Sequence, residues 1–98
     1  MNRYLEPFES ELTAGTELRD GREIPDEAAR RIVWLTRSYL RKLASADGGW
    51  STLYCDPSDR RLWEMTYPQG DLHGGGLPVL RVIVREEAIR RYGAASIK

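Results

Sequence analysis

Two short runs rich in aromatic and β-branched residues, Trp50 to Tyr54 and Leu62 to Tyr67, flank Asp56-Pro57-Ser58-Asp59, and this arrangement constrains the fold most. Aspartate, proline and serine are turn formers, so the two runs read as an antiparallel hairpin. In the second run Trp63, Met65 and Tyr67 alternate with Leu62, Glu64 and Thr66, which places one face in a core and leaves the other mixed.

The hairpin belongs to a longer stretch, Gly48 to Pro78, that also holds the only cysteine, Cys55, the only histidine, His73, and the loop Gly74-Gly75-Gly76. Pro68 through Pro78 reads as an irregular loop. Val79 to Val84 reads as a third strand with Leu80, Val82 and Val84 inward, and Glu86 to Tyr92 as a short helix ended by Gly93.

Upstream, Pro25-Asp26-Glu27 has the composition of a helix start, with carboxylates at the positive end of the helix dipole. Ala28, Ala29, Ile32, Val33, Leu35, Thr36, Tyr39, Leu40 and Leu43 recur at helical spacing, which predicts a long amphipathic helix to about Ala46, stopped by Gly48-Gly49. Before it, Thr16 to Arg19 and Arg22 to Ile24 flank Asp20-Gly21, a type I′ hairpin signal. Residues 1–12, interrupted by Pro7, read as coil or a frayed turn. The expected architecture is α+β: an N-terminal hairpin, one long amphipathic helix, a small antiparallel sheet of three strands and a short C-terminal helix, as one domain over residues 1–98.

The 15 basic and 15 acidic residues balance, which argues against a domain drawn to nucleic acid or to an anionic membrane. The balance conceals an asymmetry, because residues 1–27 carry eight carboxylates against three arginines, a net of −5. One cysteine leaves no internal disulfide, and no apolar run approaches the roughly 20 residues of a membrane span, so the expected location is the cytoplasm.

Several constellations invite a chemical reading. His73-Gly74-Gly75-Gly76 matches an oxyanion-hole motif, but the Gly-x-Ser-x-Gly elbow that accompanies it is missing. No Gly-Lys-Ser/Thr follows the glycines, which removes a phosphate loop, and one cysteine with one histidine falls short of a metal ligand set. No cofactor is expected. Cys55 and His73 would make a small hydrolase only if folding joined them. The carboxylates Asp56, Asp59, Glu64 and Asp71 would serve acid–base chemistry only as a buried pair.

On the predicted helix, Arg30, Trp34, Arg37 and Arg41 fall opposite the apolar stripe. Trp34 with Arg37 and Arg41 is then either a partner-binding anchor or a side chain covered by the N-terminal hairpin and sheathed by arginines. The same stripe would carry a weak nucleic-acid-binding regulator. Gln69, Asp71, His73, Gly74 and Gly75 are either a displayed recognition loop or a place where glycine lets the chain cross closely over another strand.

As a string, GWSTLYCDPSDRRLWEMTYPQGDLHGGGLPVL resembles the immunity protein 27 family of bacterial polymorphic toxin systems. The likeness extends upstream to Arg31-Ile32-Val33-Trp34-Leu35 and downstream to Glu86-Glu87-Ala88 and Tyr92-Gly93, covering roughly residues 11–93. Asp59-Arg60-Arg61 departs from the glycine usual in that turn, and Leu77 stands where a second proline is expected. The resemblance implies a small α+β cytoplasmic protein without enzymatic activity, whose partner is a cognate toxin domain that it binds and neutralises.

Overall fold

The computed structural model describes residues 3–68 and 76–97. Among them the strands and α-helices follow one another as β1 (Glu11–Thr13), β2 (Thr16–Arg19), β3 (Arg22–Pro25), α1 (Glu27–Trp34), β4 (Arg41–Ala46), β5 (Ser51–Cys55), β6 (Leu62–Thr66), β7 (Val79–Val82) and α2 (Arg85–Tyr92). Strands β4 to β7 form an antiparallel meander and β1 joins its far edge, giving the order β1-β7-β6-β5-β4. Strands β2 and β3 form a separate hairpin whose turn residues Asp20 and Gly21 both have positive φ, 54° and 77°.

Side chains alternate across the five-stranded sheet, and both faces are covered. On one face Tyr54, Trp63 and Leu80 pack with Leu12 and with Ala29, Ile32 and Leu35 of the α1 segment. On the other, Leu53, Cys55, Leu62 and Ile83 pack with Ala88 of α2 and Ile97. Strand β5 is therefore buried at every position, without the alternation of a half-exposed strand.

The expected long helix to Ala46 is not formed, and an α+β architecture built around it gives way to a predominantly sheet fold with two short helices. Helix α1 ends at Trp34 and runs into a π-helical turn, Leu35–Tyr39, closed by the Leu40 N–H donating to Leu35 O at 2.7 Å. Leu40 is already extended, at φ −70° and ψ 143°. Arg41–Ala46 then pairs with β5, from Arg41 opposite Cys55 to Ala46 opposite Ser51. Its composition suits a helix, but helix propensity is worth only tenths of a kcal/mol per residue, and pairing the open edge of the buried β5 outweighs it. Leu40 and Leu43, which looked like one helical stripe, serve opposite faces of the sheet. The register shifts between Lys42 and Ala44, a bulge that lets Leu43 and Ala44 both reach the α2 side.

Coil was expected through residue 12, yet the N-terminal segment is strapped down by two arginines. Arg31 of α1 donates to the Arg3 and Tyr4 carbonyls at 3.1 and 2.6 Å and to both oxygens of Glu9 at 2.7 and 2.6 Å. Arg61 donates to the Glu9 and Glu6 carbonyls at 2.6 and 3.0 Å while its guanidinium lies 5.0 Å from the centre of the Trp63 ring. Held this way, Leu5 is buried and Glu11–Thr13 pairs with β7.

Asp26 couples the start of α1 to the chain before β2. Its Oδ1 accepts from Ala29 N at 2.8 Å as an N-cap and from Gly15 N at 3.1 Å. Gly15 must be small, since a Cβ there would lie 2.6 Å from Asp26 Oδ2. Replacing Asp26 with Ala removes both bonds and should lower unfolding stability by about 1–2 kcal/mol, with Asp26→Asn losing less because it keeps an acceptor. Equal urea midpoints for the three proteins would refute that role.

The Glu9 carboxyl is held below its ordinary 4.5 chiefly by the Arg31 hydrogen bonds, against the effect of burial. Its contribution to stability is complete above pH 4.5 and is lost as pH falls through the lowered folded value. Glu9→Gln should therefore show a shallower acid-side fall in urea midpoint than the parent, and identical acid slopes would contradict the strap.

Candidate functional site

Trp34 is not an open anchor. Tyr4 meets its ring edge-on at 5.4 Å, Tyr39 stacks against it at 6.0 Å, and the Arg3 guanidinium lies 5.5 Å from its centre. The cover is the strapped N-terminal segment and not the β2–β3 hairpin. Arg30 is also engaged, donating to Pro25 O at 2.6 Å and Glu17 at 3.3 Å. Arg37 is exposed on the π-helical turn, and Arg41 has left the helix for the edge strand β4. The exposed arginine stripe beside a bare tryptophan that nucleic-acid binding needed is thus absent among the described residues, because the helix that would align it stops short.

Gln69, Asp71, His73, Gly74 and Gly75 lie outside the described residues, and with them the separation of Cys55 from His73. Cys55 itself is buried at the end of β5, its thiol donating weakly to Asp56 O at 3.7 Å. Among the described residues no group of three His, Cys, Asp or Glu side chains could hold a metal ion, and no helix is long and apolar enough to cross a membrane.

Among the described residues two carboxylates are fully buried, a feature the residue pattern left unread. They do not form a pair. Glu64, in the middle of β6 on the α2 side, accepts from Arg91 at 2.9 and 2.8 Å, from the Tyr92 hydroxyl at 2.8 Å and from Arg81 at 3.5 Å. Asp56, just after β5, accepts through Oδ1 from Tyr39 at 2.9 Å and from Ser58 N and Oγ at 2.8 and 2.9 Å. Its Oδ2 has no partner among the described residues. One carboxylate pins α2 to the sheet through arginines and a tyrosine hydroxyl, and the other ties the hairpin turn to the π-helical turn through hydroxyls and a backbone N–H. The readable signal for Glu64 was a lone acid between Trp63 and Met65, which once buried needs cationic partners, and Arg91 and Arg81 reach it from the surface.

Among the described residues, clefts open to a partner include one of about 370 Å³ on the β2–β3 hairpin, lined by Arg19, Asp20, Arg22 and Ile24, and one of about 400 Å³ with more apolar lining on the α2 side, at the turn end of the β5–β6 hairpin. Leu43, Leu62, Val82 and Ile83 contribute apolar lining, with Cys55 at one end, while Arg41, Arg60 and Arg85 surround it from β4, the hairpin turn and the first residue of α2. A recess of about 120 Å³ shares Arg41, Cys55 and Arg60 with it. Arg60 stood out in the sequence only as part of a turn that departs from the family's usual glycine, and Arg85 not at all, because nothing local indicates that a turn residue and a helix start will meet Arg41.

The Glu64 network makes a prediction on both sides. Glu64→Gln removes the counter-charge of Arg81 and the nearer of the two carboxylates beside Arg91, and should lower stability by about 2–3 kcal/mol. Burial first, then the hydrogen bond to Glu64 and its negative charge, raise the Tyr92 hydroxyl above its ordinary 10.0. The stability tied to it is fully present below pH 10.0 and drains as pH rises from there toward the raised folded value, since the unfolded chain releases that proton first. Tyr92→Phe should flatten this alkaline fall in denaturant midpoint. An unchanged alkaline slope would show that the hydroxyl is not coupled to folding.

Comparison with known proteins bears on the same scaffold. No curated protein and no solved structure matches the chain. The model of the immunity protein 27 family matches residues 18–84, a span running from within β2 through β7 that takes in the buried hairpin, the β4 edge strand and, of the four arginines that line the cleft, Arg41, Arg60 and Arg61 but not Arg85. On that match over most of its length, the chain belongs to the immunity protein 27 family.

Proposed function

We propose that the protein binds a cognate toxin domain of a bacterial polymorphic toxin system in the cytoplasm and neutralises it by occlusion, with no catalytic step. The family match over residues 18–84 carries this reading. The site chemistry is consistent with it, since both fully buried carboxylates are occupied in holding the fold, Glu64 by Arg91 and Tyr92 and Asp56 by Tyr39 and Ser58. A neutralising complex of ordinary size buries roughly 1,600 Å² in total, about 800 Å² from each partner, an area within reach of a chain of 98 residues.

The test is co-expression of the full chain with the toxin domain encoded beside it. Growth should be restored, and the two proteins should elute together as a stable complex. Loss of growth despite a soluble, folded chain, together with no complex by calorimetry, would overturn the reading.

A further inference from the structure

Arginines in this molecule are, as a rule, satisfied internally. Arg31 holds Glu9, Arg61 holds Asp59, Arg81 and Arg91 hold Glu64, Arg90 holds Glu87, Arg19 and Arg30 reach Glu17, and Arg3 lies over Trp34. The guanidinium groups of Arg22, Arg37, Arg41, Arg60 and Arg85 have no ion-pair, hydrogen-bond or ring partner among the described residues, and three of these five surround one cleft.

Two of the three also stand where folding disfavours them. Arg60 has φ 67°, a left-handed conformation that strains any side chain with a Cβ and that glycine adopts freely. Arg85 is the first residue of α2, so its cation sits at the positive end of the helix dipole, where Glu86 and Glu87 are the favoured charges. Exposed arginines placed only for solubility have no reason to take such positions.

We propose that this cleft is the toxin-contact surface and that it accepts an acidic segment of the toxin. Carboxylates meet the guanidinium groups of Arg41, Arg60 and Arg85, and an intervening apolar side chain sits against Leu43, Leu62 and Ile83. The inference rests on the immunity reading and adds the chemistry of the partner. Guanidinium groups over a partly apolar floor suit carboxylates of a folded protein, because burial on binding strengthens each ion pair. Nucleic acid is the poorer fit: no aromatic side chain lines the cleft for base stacking, and the chain has no net positive charge.

The experiment measures affinity and association rate of the full chain for the toxin domain encoded beside it, comparing Arg41→Glu, Arg60→Gly and Arg85→Glu with Arg22→Glu. Arg22→Glu makes the same charge change away from the cleft, on the β2–β3 hairpin. Arg60→Gly removes a side chain from a position that glycine favours, so it tests binding without threatening the fold. Each cleft substitution should raise Kd about tenfold or more and flatten the salt dependence of the association rate, whereas Arg22→Glu should leave Kd within about twofold.

If the parent neutralises the toxin while all three cleft variants bind within twofold of it, the cleft assignment falls and the immunity reading stands. A parent chain that neither binds nor protects removes both. Two other results would reassign the cleft: retention of an oligonucleotide, or a concentration-dependent dimer, that the cleft substitutions abolish while toxin affinity is unchanged.

Discussion

A strand buried along its whole length must be covered on both faces and hydrogen-bonded on both edges, and β5 imposes that requirement here. Its face toward Tyr54 and Trp63 recruits α1 and, through Arg31 and Arg61, the N-terminal segment. The face toward Leu53 and Leu62 recruits α2, which Glu64 holds by Arg91 and Tyr92. One edge is met by β6, and the other draws Arg41–Ala46 away from the helix that its composition favours.

That last step marks the boundary of what could be read from the chain. Features set by neighbours in sequence were legible: Asp20-Gly21 turns the small hairpin, Asp56-Pro57-Ser58-Asp59 joins β5 to β6, Asp26-Glu27 opens α1, and Gly93 ends α2 with φ 92°. Features set by distant partners were not. Leu40 and Leu43 satisfy helical spacing and an edge strand with a bulge equally well, and only the unpaired edge of β5 decides between them. Glu11–Thr13 is too short to declare itself a strand before β7 offers it an edge.

The candidate surface was legible in part for the same reason. Arg41 was singled out as a member of a helical stripe with Trp34 and Arg37, and it reaches the cleft instead from an edge strand, while Trp34 is covered by Tyr4 and Arg3. Arg60 and Arg85 come from a turn and a helix start that are far apart in sequence, so no spacing rule joins them. A conformational or electrostatic misfit visible only in three dimensions, positive φ at one and a cation at a helix N-terminus at the other, is what sets them apart.

Zero net charge conceals a division of labour between the two halves of the charge set. Several carboxylates of the acidic first quarter work inward: Glu9 secures the N-terminal segment, Asp26 caps α1 and binds Gly15, and Glu17 takes Arg30 and Arg19. The basic remainder is only partly consumed, by Glu9, Glu64, Asp59 and Glu87, and three of its unused cations, Arg41, Arg60 and Arg85, gather at the turn end of the hairpin. The turn that carries Arg60 is fixed by Asp56, which accepts from Ser58 and Tyr39 through its side chain and from Arg60 N at 2.8 Å through its carbonyl. With the turn backbone fixed in this way, the ordering cost when a carboxylate arrives is confined to the Arg60 side chain, so more of the pairing energy appears as affinity than from a mobile loop. Rigidity of the two-sided sheet and chemistry at its rim are in that sense one device: the burial that holds β5 also fixes the backbone from which Arg41 and Arg60 project.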